Sequence, residues 1–454
     1  MTNISIIGGG LSGTLLAVNL LQSSPGNPID IKLIDNRSEE DLGPAFSTNE
    51  DYLLNVPAGM MGAVWDDHEH FLKWLNSKGI SAQKTDFLPR KLYRTYIKEL
   101  FSEALIKKKS NILFERIQGE VTDITTDGSK AAIFLADGKS ISADKLALAL
   151  GNFPPRNPPI ASRGFINSKL YIRNPWIMDS YSAISKDAAV FFIGTGQTTV
   201  DIAAGLHRNG HTGKIFAISR HGFLPLVHKV VDIYPQFYTE LKDIKSILNL
   251  YKIIRSHIEK AEKAGYDRRA VIDSMRPFTQ ELWMNLPADE KGKFIRHLFR
   301  YWEIIRSRIP QESDSIIKQM QSTGQFNILT GKITDLIVRE NSIDVCYKPR
   351  NTVSQKYQPA DIVINCIGPE LDYSKIQNTL IKNLIKRGLI QPDPINLGIN
   401  ALPDGTIIHN DGTASDVFFT IGLPMRGILW ETLAAPEIRV QAANLSRLML
   451  KNTN

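Results

Sequence analysis

The chain opens on a short apolar run, Ile4-Ser5-Ile6-Ile7, then Gly8-Gly9-Gly10-Leu11-Ser12-Gly13, then Thr14-Leu15-Leu16-Ala17-Val18-Asn19-Leu20-Leu21. This is a buried strand, a Gly-x-Gly-x-x-Gly turn and a strong helix former in direct succession, and few folds accommodate that order. Gly8 makes the tight turn, Gly10 lets the backbone approach a pyrophosphate, and Gly13 lets helix and strand pack closely. Leu11 and Ser12 stand at the helix N-terminus, whose free N–H groups and positive dipole end favour phosphate. A second strand over residues 29–34 ends in Asp35, twenty-two residues after Gly13. An acid at that place accepts hydrogen bonds from adenosine ribose hydroxyls. The N-terminal region therefore reads as a βαβ unit that binds a dinucleotide.

The pattern recurs in weaker form near the middle. Residues 189–193 form an apolar strand, Gly194-Thr195-Gly196-Gln197-Thr198-Thr199 follows, and residues 200–206 look helical. Thr199 replaces the third glycine, which is expected to loosen helix–strand packing slightly. The next strand, residues 214–218, ends in Ser219-Arg220-His221 instead of an acid. A cation there pairs with a 2′-phosphate that an acid would repel, so Ser219 and Arg220 point to NADPH over NADH. The alternative is a surface arginine at a strand end. Two such units suit one chemistry: a nicotinamide delivers hydride to a flavin, which passes the electrons onward. FAD at the first site and NADPH at the second are the expected cofactors.

With 454 residues, two or three structural units are expected, and 43% hydrophobic with 22% charged residues is ordinary for a globular protein. No run of eighteen apolar residues occurs, so no membrane span is expected. The N-terminus lacks the basic start and long apolar stretch of a signal peptide, which suggests a cytoplasmic protein. Only two cysteines occur, Cys346 and Cys366, with no Cys-x-x-Cys, which argues against a redox-active dithiol beside the flavin. No His and Cys cluster has zinc-like spacing, and no metal is expected. The net charge of +7 admits a nucleic-acid partner, but much of the excess mixes with Asp and Glu on helices between about 240 and 310, as on a solvated face. No nucleic-acid partner is therefore expected.

Later segments complete the outline. A strand over residues 146–150 ends in Gly151, and residues 416–427 read as a strand followed by a turn containing Gly422, Arg426 and Gly427. That turn, with the helix after it, is placed to present backbone N–H groups to the flavin pyrimidine edge. The fold class is thus α/β: two Rossmann-like dinucleotide-binding domains with a helical insert. The expected divisions are 1–165 (FAD domain, first part), 166–225 (NAD(P) domain, first part), 226–318 (helical insert), 319–365 (NAD(P) domain, second part) and 366–454 (FAD domain, completion). The insert caps a substrate cleft, forms an interface or simply packs. Its His297, Arg300 and Arg306 are candidates for holding an anionic group, with a solvated helix face as the alternative for each.

On residues 8–13, 43–48, 52–61, 66–75, 194–196 and 423–441, the chain resembles the bacterial FAD-NAD(P)-binding protein family. That family is similar at the fold level to flavin-containing monooxygenases and to the ornithine and lysine N-hydroxylases. The resemblance implies that Asn55, Val56 and Pro57 pass close to the isoalloxazine ring. Two departures stand out: Leu423 follows Gly422 where many such proteins have an acid, and Thr199 replaces a glycine.

The function expected is an FAD-dependent NAD(P)H oxidoreductase, a single-component flavin monooxygenase using O2 on a small-molecule substrate. The alternatives are an NAD(P)H:acceptor flavin reductase without oxygenation and, in a different class, an RNA-binding or redox-sensing flavoprotein. The last draws only on the basic insert, without the long basic runs interleaved with aromatics that RNA binding favours.

Overall fold

The computed structural model describes residues 1–38, 41–46, 52–177 and 183–451. The first third carries β1 (Thr2–Ile7), β2 (Ile29–Asp35), β3 (Ile112–Gln118), β4 (Val121–Thr126), β5 (Ala131–Leu135), β6 (Ser140–Ala143) and β7 (Lys145–Leu148). Next come β8 (Tyr171–Ile172), β9 (Val190–Ile193), β10 (Ile215–Ser219), β11 (Phe326–Val338), β12 (Ile343–Pro349), β13 (Lys356–Ala360) and β14 (Ile362–Asn365). The last strands are β15 (Thr406–Ile408) and β16 (Ala414–Thr420).

Strands from both ends of the chain build one sheet, ordered β15-β16-β7-β1-β2-β3. It is parallel except for β15 at its edge. Residues 4–7 are buried on both faces, as a central parallel strand requires. Because β1 lies between β2 and β7, the chain reverses its direction of travel there. The Gly8 turn therefore sits at a topological switch point, where the diverging connections leave a crevice. Helix α1 (Leu11–Leu21) crosses this sheet between α3 (Arg90–Lys107) and α13 (Ala435–Leu450), and α2 (His70–Ser77) packs beside α3.

A second sheet runs β13-β12-β11-β10-β9-β14-β8. Strands β8, β14, β9, β10 and the start of β11 are parallel, while the rest of β11 pairs antiparallel with β12. Here β9 lies between β10 and β14, so the Gly194 turn also occupies a switch point. Helix α4 (Gln197–Arg208) follows it. A small antiparallel sheet, β4-β5-β6, packs on α11 (Thr379–Lys386).

Between β10 and β11 lie α5 (Ile247–Lys263), α6 (Arg268–Met275), α7 (Thr279–Asn285), α8 (Ala288–His297), α9 (Phe299–Arg306) and α10 (Gln311–Ser322). Their own core, including Phe237, Leu250, Val271, Trp283 and Phe294, closes on Trp430. That residue ends the short helix α12 (Arg426–Leu429), so the insert packs against the C-terminal turn of the first sheet. Among the described residues no helix is long and apolar enough to cross a membrane.

Candidate nucleotide-binding sites

The first glycine turn is shaped by steric exclusion. Gly8 has φ +107°, and a Cβ there would run into the Ala149 carbonyl oxygen. A Cβ on Gly13 would run into the carbonyl oxygen of Gly8, so helix and strand touch backbone to backbone. Gly10 caps α1 with no side-chain hydrogen bond and no acid in the first turn. The N-terminus of α1 borders a cleft of about 390 Å³, walled by Gly8, Gly10, Leu11, Ser12, Asp35 and Gly151, and its first amide, on Leu11, donates to the Leu42 carbonyl (3.1 Å). Residues 42–46 form a second wall, and Leu423, Thr432, Leu433 and Ile438 close it from the C-terminal side. Gly422, at φ +79°, has no room for a Cβ beside Ser12 Oγ. Its N–H donates to Gln441 Oε1 (3.0 Å) and its carbonyl accepts from Thr432 Oγ1 (2.8 Å). The Gly422 amide is thus already engaged within the protein.

Asp35 is buried at the end of β2 and accepts hydrogen bonds from the Gly9 amide and from Arg37 N (2.8 Å), Nε (3.0 Å) and Nη2 (2.7 Å). Burial works to raise the carboxyl, but the Arg37 guanidinium and the two amides outweigh it and hold it below the usual range. A carboxylate depressed in the fold contributes stability that is present above its unfolded value, about 3.9, and is lost as pH falls through the lower folded value. Wild type is therefore expected to lose melting temperature through this acid window more steeply than Asp35→Asn. Parallel slopes in a pH series of thermal melts would count against it.

Arg37 was not legible as a site residue, because an arginine two places past a strand end reads as surface. In the fold its guanidinium lies over the turn, where a Cβ on Gly10 would be 3.5 Å and on Gly43 3.3 Å from its Nη atoms. Of the motif at residues 43–48, Ser47 and Thr48 lie outside the described residues.

The second turn repeats the first with one change. Gly194 has φ +122°, and a Cβ would stand 2.5 Å from the Cys366 carbonyl oxygen. Gly196 caps α4, again with no side-chain hydrogen bond, and Thr198 is half-buried in the first turn. Thr199 does not loosen the junction: its buried hydroxyl donates to the Gly194 carbonyl at 2.9 Å. A hydrogen bond takes the place of the backbone contact at Gly13.

Asn55 meets this second turn directly. Its Nδ2 donates to Gln197 Oε1 (2.9 Å), and Gln197 Nε2 donates to the Arg308 carbonyl (2.9 Å). Val56 packs against the core of the first sheet, and Pro57 precedes a single 3₁₀ turn. This side-chain pair joins the 52–58 loop to the second glycine turn.

At the end of β10, Ser219 Oγ accepts from the Gly222 amide (2.9 Å) and lies 2.9 Å from Thr195 Oγ1, so this hydroxyl closes the turn. Arg220 is exposed. The His221 ring stacks on Phe223 (centroids 5.5 Å), and Tyr301 of the insert packs against both (5.9 and 5.7 Å). Burial first, then Arg350, Arg220 and Arg300, push the His221 imidazole below its ordinary value. Arg300 in turn feels the charge of Arg220 and Arg156. Three arginines from separate segments act on the His221 ring, and Arg156 acts in turn on Arg300.

Arg426 and Gly427 sit elsewhere than the cleft wall. The Arg426 guanidinium stacks over Trp430 (4.7 Å) and approaches Phe299 (5.9 Å), while the Gly427 carbonyl accepts from Trp283 Nε1 (2.9 Å). Trp430 has φ +62° at the centre of a γ-turn closed by Glu431 N–H to Leu429 O (2.7 Å), a strained conformation held by its aromatic surroundings. Arg306 is paired with Glu431 (2.9 Å) and Glu437 (3.5 Å), which ties the insert to this turn. His297 is exposed.

Two mainly parallel sheets, each with a glycine turn at its switch point, define a two-dinucleotide-binding fold. Residues 5–153 match the sequence profile of the family described as FAD-NAD(P)-binding. In structure the chain is similar to an ornithine N-hydroxylase of Kutzneria sp. 744, determined with reduced FAD, NADP+ and L-ornithine (TM-score 0.66, 13% identity, 100% of each chain covered). It is also similar to an FAD-bound cadaverine monooxygenase of Erwinia amylovora (TM-score 0.64, 14% identity, 98% of this chain and 94% of that one). A bacillithiol disulfide reductase of Staphylococcus aureus shares the fold as well (TM-score 0.58, 12% identity, 99% of each). No curated protein matches the sequence.

Proposed function

We propose that the chain is an FAD- and NADPH-dependent oxidoreductase, a single-component monooxygenase that uses O2 on a small-molecule substrate. The observation that carries it is that the wall of the first cleft is tied to α4: Arg90 Nη1 donates to the Ala45 carbonyl in that wall (3.4 Å) and Nη2 to Asp201 of α4 (2.7 Å), with Asn55 bonded to Gln197 beside them. The residues of the first cleft fit FAD. Gly8, Gly13 and Gly422 leave no room for side chains, and the α1 amides after Leu11, together with Arg37, offer donors to a pyrophosphate. In this reading Asp35 faces the ribose with its charge secured by Arg37, and Gly151 and Ser12 line the path towards the flavin ring.

The second turn and the arginine group suit NADPH. Gly194, Gly196, Gln197 and Thr198 approach the pyrophosphate, while Arg220, with Arg156, Arg300 and Arg350 nearby, neutralises a 2′-phosphate. The rings of His221, Phe223 and Tyr301 offer an adenine a stacking face. Bound there, the nicotinamide supplies hydride and FAD supplies the oxygen chemistry. The chain's own part is to hold the two and keep Asn55 at their junction.

The monooxygenase reading is preferred to a disulfide reductase because the sequence holds only Cys346 and Cys366, both buried and on different strands or strand ends. Neither can relay electrons through an exposed dithiol. Mixing FAD-loaded protein with NADPH under anaerobic conditions should bleach the flavin absorbance, and admitting O2 should restore it. Flavin that NADPH leaves oxidised would remove this function.

A further inference from the structure

Helix α4 does more than follow a glycine turn. Gln197, Asp201 and Gly205 recur every four residues and form one stripe along it. Each meets Arg90 or a residue of the loop at 52–55, and Arg90 Nη1 also donates to the carbonyl of Ala45 in the wall of the first cleft (3.4 Å). Gln197 accepts from Asn55, as above. Asp201 forms an ion pair with Arg90, Oδ2 to Nη2 2.7 Å, and the two residues are only 7% and 9% exposed. Gly205 lies under the Tyr52 ring, 3.0 Å from the position its Cβ would take.

Tyr52 precedes the Asn55 loop yet is buried in the core beneath the second sheet, with Val200, Ile202 and Ala203. Arg90, at the start of α3, binds the same loop from behind. Its amide donates to the Tyr52 carbonyl (2.8 Å), its Nε to the Leu53 carbonyl (3.1 Å), and its guanidinium lies over Trp176 (5.4 Å). One arginine thus reads the position of the cleft-side loop and of α4 together.

We propose that the Gln197–Asp201–Gly205 stripe is a fixed coupling between the two nucleotide domains, and that Arg90 and Asp201 are positioning residues for hydride transfer. The reasoning rests on the function proposed above. A directional, desolvated ion pair between domains fixes register, because any sliding leaves two buried charges without partners. The intimate contact at Gly205 removes the room for rocking. The α4 N-terminus then stands at a constant place beside Asn55, and a nicotinamide seated on it would be oxidised by giving up its hydride to the flavin, without rotation of one domain against the other.

The test uses FAD-loaded Asp201→Asn beside wild type. At saturating NADPH without O2, its flavin reduction is expected to slow at least tenfold. The dissociation constant for NADP+ should stay within twofold and the flavin content should not change. Hydrogen exchange, read without nicotinamide, should rise together in residues 52–58 and 197–208, on opposite sides of the seam. Should Asp201→Asn fail to fold, the double variant Arg90→Met/Asp201→Leu keeps the seam packed while removing the direction-setting charges. The same slowing and exchange are expected of it. A folded variant reduced at the wild-type rate with wild-type exchange overturns the proposal. If NADPH fails to reduce wild type as well, the function proposed above is at fault, and the exchange result alone decides whether the coupling exists.

Discussion

Replacing Gly13 with valine is expected to yield protein that carries less than a tenth of the wild-type flavin. A Cβ at that position overlaps the carbonyl oxygen of Gly8 and meets Ile6 Cγ2 at 3.2 Å. No rotamer relieves a clash with backbone, so α1 must move away from β1. Overpacking of a buried site ordinarily costs about 1–3 kcal/mol. Here the displaced element is also the one whose N-terminus borders the cleft, so cofactor loss should exceed what stability alone predicts. Thr199→Val is the matched control at the equivalent position of the second turn. It removes the hydroxyl bond to the Gly194 carbonyl, worth about 1 kcal/mol, together with the hydroxyl's contact with the Cys366 thiol, and should leave flavin content intact. Flavin-to-protein ratios and calorimetric melting measure both. Wild-type flavin in Gly13→Val would contradict the placement of FAD at this turn.

The second large effect concerns NADPH. Arg220→Ala is expected to raise the KM for NADPH by about 10- to 100-fold, the range of one charged hydrogen bond at roughly 1.5–3 kcal/mol. Arg300→Ala should add to it, since Arg300 lies close enough to feel the charge of Arg220. Neither should change the KM for NADH, which lacks the 2′-phosphate. Added salt should weaken NADPH more than NADH in wild type and less so in the double variant, because exposed charges are screened. Steady-state oxidation of the two nucleotides reads all of this. Equal losses for NADPH and NADH would show that the arginines serve the fold and not the phosphate.

The tertiary structure also changed the standing of several side chains. Ser219 looked like a helper of Arg220, but its hydroxyl is turned inward to the Gly222 amide. Arg426 looked like part of a glycine-rich turn at the flavin, yet it stacks on Trp430, away from the cleft wall. Arg306 looked open to an anion and instead binds Glu431 and Glu437. In each case the partner lies far along the chain or in a turn whose closure local composition does not encode. Arg300 and Arg350 illustrate the converse: as single cations in two segments they carry no signal, and only folding brings their charges to bear on His221.

What the sequence determined by itself is the pair of strand–glycine–helix units and the α/β class that they imply. Those features are local, because a tight turn, a backbone approach and a helix N-terminus are set by residues adjacent in the chain. Thr199 marks the limit of that reading: as a letter it was a missing glycine, and as a side chain it is a hydrogen bond. How the two units face each other was decided only by the tertiary structure. That relation rests on Asn55 with Gln197 and Arg90 with Asp201, contacts made across 142 and 111 positions of the chain. Pairings at such separation depend on where two sheets place their edges, and no periodicity in a single sequence records it.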